Sequence, residues 1–256
     1  MQMSVTAVRP TRAVPVRADE FRLALETLPQ PDETTCGPTC LHAVYRYWGE
    51  SEPLTQVIER NYRMEHGGTY AVYLACDALR KGYRATIYTY NLLVFDPTWF
   101  VGKGVDIAER LKRQLDVKME RRRFQQVTPG YLEFLNLGGR LRFVDLAPKL
   151  LHRILRHRMP IITGLSSTYL YHAAREYGPH DVKDDIRGTP SGHFVVIAGY
   201  NAPRRRVLIV DPYQPHPYGA THEYWISIDR AVGAILLGIV THDANLLIVH
   251  PPPDRS

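Results

Sequence analysis

Apolar positions along the chain follow a helical period first and a strand period later. Across residues 38–48, 54–62 and 69–80 they recur three and four apart, which predicts helices. Over residues 83–90, β-branched and aromatic side chains alternate with polar ones, the spacing of a half-buried strand. Ile107, Leu111, Leu115 and Met119 then step four apart through a run rich in Lys and Arg, predicting an amphipathic helix with a basic outer face. A short helix is expected over 129–136, ended by Gly138-Gly139, and a further one over 147–157. Beyond that the pattern shortens. Residues 160–164, 193–200, 206–210 and 245–249 are β-branched runs bounded by Gly, Pro and Asp. Between them lie a polar, Asp-rich connection over 164–193 and an irregular stretch over 213–222. Helices followed by strands predict an α+β fold with two lobes and a cleft between them, not alternating βαβ units.

Composition narrows the picture. The chain has 256 residues, 45% hydrophobic and 23% charged, which fits one globular domain over 18–256. Residues 1–17 carry Arg9, Arg12 and Arg17 with Pro10 and Pro15 but no apolar block, so they are expected to form a loose tail and not a secretory signal. The longest apolar run, 231–240, contains two glycines and is half the ~20 residues a membrane helix needs. A cytoplasmic protein with no membrane partner is expected. The formal charge is +6, and residues 103–123 hold eight basic side chains against four acidic ones. No nucleic-acid motif accompanies them, so this face is read as solvated and no nucleic-acid partner is expected.

Cys36, Cys40 and Cys76 are too few for a disulfide framework and have no second ligand pair at zinc spacing, so no metal is expected. Cys40 and Cys76 read as small buried residues. Cys36 differs. The polar run Gln30-Pro31-Asp32-Glu33-Thr34-Thr35 ends at it, and Gly37-Pro38 opens a helix. At a helix N-terminus, free N–H groups and the dipole favour a thiolate.

A nucleophilic thiolate also needs an imidazole and a group to orient it. His193 opens the apolar run Phe194-Val195-Val196-Ile197-Ala198, and Val207-Leu208-Ile209-Val210 returns after the turn Asn201-Ala202-Pro203-Arg204-Arg205. In such a hairpin Asp211 arrives beside His193. Taken singly, each also fits a structural role: a strand-edge histidine, and an aspartate capping the turn before Pro212. Gln30, six residues before Cys36, is a candidate donor to an oxyanion, as is the Cys36 N–H.

Gln30, Cys36-Gly37 at a helix start and the ending Tyr45-Arg46-Tyr47-Trp48-Gly49 resemble the papain-like cysteine peptidases. Together with Gly192-His193-Phe194-Val195-Val196 and Val210-Asp211-Pro212, they are closer to the double-glycine leader peptidases that mature bacteriocin-type precursors, and to their soluble relatives. The resemblance covers roughly residues 28–49 and 188–212. It implies a papain-like two-lobed fold, with the nucleophile in a helical N-terminal lobe and His and Asp in an antiparallel β lobe. It also implies a peptide or protein substrate, hydrolysis through a thioester and no cofactor. By the family pattern Cys36 is the nucleophile, His193 the general base and then acid, Asp211 its orienter and Gln30 the oxyanion donor. The same triad also serves acyl transfer, and a non-catalytic peptide-binding module is a further reading. The acidic residues Asp181, Asp184 and Asp185 are expected to border the cleft and tune substrate charge. The scattered tryptophans and tyrosines are expected to pack the core.

Overall fold

The computed structural model describes residues 20–61, 68–102, 104–118, 120, 122–241 and 243–252. The tail expected over 1–17 lies outside these residues. In chain order the elements are β1 (Glu20–Arg22), α1 (Cys36–Tyr47), α2 (Leu54–Arg60), α3 (Ala71–Arg80), β2 (Arg84–Thr89), α4 (Ile107–Val117), α5 (Arg122–Asn136) and β3 (Arg140–Arg142). They continue with α6 (Pro148–Arg156), β4 (Ile161–Ser166), α7 (Ser167–Tyr171), β5 (Glu176–Tyr177), β6 (Val182–Lys183), β7 (Gly192–Asn201), β8 (Arg206–Val210), β9 (Glu223–Ser227), α8 (Ile228–Leu237) and β10 (Asn245–His250). Short 3-10 turns add Pro97–Phe100 and Gly238–Thr241.

This is an α+β fold whose first half is mainly helical and whose second half is mainly antiparallel. One sheet runs in the order β3-β2-β10-β4-β7-β8-β9, with β1 pairing the far end of β7. Its described pairings are antiparallel apart from β2 with β3. β7 is the central strand: β4 covers its first six residues from Gly192 to Ile197, and β1 covers Gly199 to Asn201.

α1 is buried from Cys36 through Tyr45 and packs against β7. Its buried Thr39 and His42 side chains bond backbone carbonyls, Thr39 Oγ1 donating to Thr35 O at 2.7 Å and His42 Nε2 to Glu52 O at 3.1 Å. Leu41, Val44 and Tyr45 are fully buried, each contributing about 1.5–3 kcal/mol for the area removed from water. Its end is encoded locally. Gly49 adopts φ +93°, its N–H reaches Arg46 O at 3.0 Å, and the Glu50 N–H reaches Tyr45 O at 3.0 Å. That pair of bonds satisfies the last carbonyls and needs a left-handed residue, for which glycine carries no Cβ penalty. α3 ends the same way at Gly82 and turns directly into β2.

The predicted elements correspond to α1, α2, α3, β2, α4, α6, β4, β7, β8 and β10. α5 starts seven residues earlier than the 129–136 expected, with Pro129 inside it. Proline interrupts a helix by removing one N–H bond. Here α5 packs on α3, where Gly130 O accepts the Cys76 thiol at 3.6 Å and Gln126 O accepts the Tyr73 hydroxyl, so contacts between the two helices hold α5 on either side of Pro129. The connection expected over 164–193 is more ordered than its polarity suggests: it holds α7 and the β5–β6 hairpin.

Candidate active site

α1 begins at Cys36, so the thiol stands at the N-terminus of the central helix with N–H groups that have no intrahelical acceptor. The chain enters this helix through a turn that the sequence builds locally. Asp32 Oδ1 accepts from the Thr34 N–H at 2.8 Å, and the Thr35 hydroxyl bonds Asp32 O at 3.1 Å. Gly37 is tightly enclosed: a Cβ there would lie 2.8 Å from Thr69 Cγ2 and 3.3 Å from both Leu74 Cδ1 and Phe194 Cδ2. Only a glycine lets the helix start sit this close to β7.

His193 is the second residue of β7 and is buried. Its partner comes from the hairpin the sequence predicts. The register pairs Val196 with Val210, so Asp211 falls one step past the pair, diagonal to His193 on the same face. His193 Nε2 donates to Asp211 Oδ1 at 2.8 Å. That commits Nε2 and leaves Nδ1 as the ring nitrogen for Cys36, which lines the same cleft. Burial pulls the imidazole pKa down, but the charges of Asp211 and Cys36 and the bond to Asp211 outweigh it, and it is pushed up to about 10.

Asp211 is fully buried and saturated with donors. Besides His193, its Oδ1 accepts the Tyr213 N–H at 3.0 Å, and its Oδ2 accepts Tyr171 Oη at 2.7 Å and Tyr224 Oη at 2.6 Å. Burial raises a carboxyl pKa. Here the facing imidazole and the hydroxyl donors prevail, and the Asp211 carboxyl is held below the usual range. Sequence reasoning missed both tyrosines. Tyr171 and Tyr213 also line the cleft, against the expectation that the tyrosines serve core packing.

Gln30 reaches the cleft because its N–H bonds Pro212 O at 2.9 Å, next to Asp211. Its side-chain Nε2 donates one hydrogen to Asp32 O at 2.9 Å. An amide carries two, so one N–H remains for a ligand. Cys36, His193, Asp211 and Gln30, expected together from sequence, are thus brought together. Cys40 and Cys76 are fully buried, as expected. Burial first, then the charges of Cys36 and Asp211, lifts the Cys40 thiol well above its ordinary value. Burial pushes Cys76 up to about 12.

The cleft encloses about 470 Å³ and is lined by Cys36, His193, Gln30, Tyr213 and one wall of the β5–β6 hairpin. Of the three acidic residues expected to border it, Asp181 does so. Asp184 does not: its Oδ1 accepts the Ile186 and Arg187 N–H groups at 2.9 and 2.8 Å, and its Oδ2 accepts Arg187 Nε at 2.6 Å. Those bonds close a turn. Ser166, Ser167 and Thr168 are likewise structural. Ser166 Oγ caps α7 on the Tyr169 N–H at 3.3 Å, and Ser167 and Thr168 bond the backbone of Ser191 at 3.0 and 2.9 Å. Among the described residues no group of His, Cys, Asp and Glu is arranged to hold a metal ion, and no helix is long and apolar enough to cross a membrane.

No protein-family model matches the chain, and no curated protein matches it. Solved structures similar in fold include two peptidases. One is the peptidase domain of Streptococcus ComA, a bifunctional ABC transporter involved in a quorum-sensing pathway. It is 14% identical with a TM-score of 0.40, covering 89% of this chain and 99% of that one. The other is a Bacillus anthracis protein designated a C39-like peptidase, 11% identical with a TM-score of 0.45, covering 90% and 96%.

Proposed function

We propose that this chain is a cysteine peptidase that cleaves an amide bond through a Cys36 thioester. The observation that carries this reading is the buried pair in which Asp211 holds Nε2 of His193, in one cleft with the thiol of Cys36 at a helix N-terminus. A catalytic thiol needs its proton taken by a positioned imidazole whose charge is then stabilised. The raised His193 pKa reflects that stabilisation.

The steps follow from these positions. With the proton already held at His193 Nδ1, Cys36 Sγ attacks the substrate carbonyl carbon. The carbonyl oxygen becomes an oxyanion, met by the Cys36 N–H and the free N–H of Gln30. The tetrahedral adduct collapses as the C–N bond breaks, and His193 gives its proton to the departing amine. A water then enters. His193 takes one of its protons, the hydroxide adds to the thioester carbonyl, and the C–S bond breaks to release the carboxylate and restore Cys36. Asp211, fixed by four donors, keeps the ring in one orientation throughout.

Iodoacetamide labelling at neutral pH with peptide mass mapping tests the reading. Selective modification of Cys36 over Cys40 and Cys76, slowed in His193→Ala, is expected. It is to be followed by peptide-library cleavage that Cys36→Ala abolishes. Equal, slow labelling of Cys36 in both proteins would overturn the proposal.

A further inference from the structure

The cleft continues past Cys36 and His193 to a floor that the acyl-transfer steps do not use. Asp243 stands there, 6% exposed. Its Oδ2 accepts the Ala71 N–H at 2.6 Å and its Oδ1 accepts the Asn245 side-chain amide. Both partners are neutral, and among the described residues no Lys, Arg or His pairs with it. Burial lifts its carboxyl to about 7 against those two hydrogen bonds. A buried carboxylate without a counter-charge is costly unless something completes it.

A second group on the same floor is also incomplete. Thr69, 6% exposed, lines the cleft and leaves Oγ1 buried without a hydrogen-bond partner. Buried polar atoms in native proteins are normally satisfied, so an orphan beside a substrate cleft calls for a ligand donor. The floor also abuts both reacting residues. Thr69 packs on Gly37, next to Cys36. A Cβ on Gly192, next to His193, would lie 2.8 Å from Thr241 Oγ1 in the same lining. Gly164, in the same lining, lets β4 pack directly on Asp243, since a Cβ there would lie 2.5 Å from Asp243 O and 3.1 Å from Asp243 Cγ. Among the described residues the rest of the lining carries Glu33, Glu176 and Asp181 against Lys183, which pairs with Glu176, although the chain as a whole is +6. Such a lining concentrates cations.

We infer that the pocket floored by Asp243 and Thr69 receives a cationic side chain of the substrate, Lys or Arg, within a residue or two of the bond cleaved. Its charge pairs with the Asp243 carboxylate, which has lone pairs beyond the two in use, and a further N–H meets Thr69 Oγ1. The inference rests on Cys36 being the nucleophile of the proposed peptidase.

Tripeptidyl chloromethyl ketones with Lys or norleucine at either of the two positions beside the ketone test it, because Cys36 Sγ displaces chloride without any turnover. Inactivation rates are read by intact mass and divided by each protein's iodoacetamide rate at Cys36. In the wild type one Lys reagent should outpace its norleucine twin by about tenfold or more. Asp243→Asn, which keeps an acceptor for Ala71, should lose that preference, and Thr69→Val should weaken it. Equal rates for both reagents at both positions, or a preference that survives in Asp243→Asn, would overturn the inference and leave the peptidase reading standing. A Cys36 inert to iodoacetamide and to all the ketones would overturn both.

Discussion

Tyr171 donates its hydroxyl to Oδ2 of Asp211 at 2.7 Å across 40 residues of chain, and Tyr224 donates to the same oxygen at 2.6 Å. The Asp211 carboxylate is therefore held from α7 and from β9 as well as by the imidazole it faces. A buried charge in this position is stable only while its donors remain.

Tyr171→Phe and Tyr224→Phe each remove one bond to a charged acceptor, worth about 1.5–3 kcal/mol. Urea unfolding should show a loss of that size. With one donor fewer, the Asp211 pKa rises, so the acidic limb of the Cys36 alkylation rate should move to higher pH. A tyrosine that only packs would lower the unfolding midpoint and leave the limb in place.

His193 and Asp211 make stability depend on pH in opposite windows. The folded imidazole keeps its proton to about 10, above the ~6.5 of an unfolded histidine. Its contribution is complete below ~6.5 and is lost as pH rises through about 10. Asp211, held below its ordinary range, contributes above ~3.9 and loses that contribution as pH falls through its lowered value. The stability difference between wild type and His193→Gln should therefore shrink steadily from near-neutral to strongly alkaline pH. A constant difference across that range would count against the buried ion pair.

Gln30→Ala should lower kcat on a cleaved peptide by about 10²–10³ with little change in KM, because an oxyanion donor acts in the transition state. A rise in KM at constant kcat would instead make Gln30 a substrate-binding residue.

Gly37→Ala introduces a Cβ 2.8 Å from Thr69 Cγ2, at the helix start that carries the thiol. Overpacking of this kind costs about 1–3 kcal/mol. Unfolding should register that cost, and Cys36 should alkylate more slowly as the helix start is pushed away from β7.

Much of the fold was legible because its signals are local. The period of α1, α3 and β8 and the polar turn before Cys36 each depend on residues within a turn or two. α8 escaped because residues 231–240 are apolar nearly throughout, which leaves no polar face to set a period. β9 escaped because five residues, half of them facing outward, give too short an alternation. α5 was shortened by reading Pro129 as its start, although packing on α3 carries the helix through it.

By itself the amino-acid order determined where a thiol meets a helix N-terminus and which hairpin sets an aspartate beside a histidine, since both relations close over short stretches of chain. Only the tertiary structure decided that Cys36 meets His193, that Tyr171 and Tyr224 converge on Asp211, and that Asp243 and Thr69 floor the same cleft. Those meetings depend on strand order, β4 beside β7 beside β8 beside β9, and on α1 lying against β7. That order is set by the burial of many side chains at once, and no local period or cap encodes it.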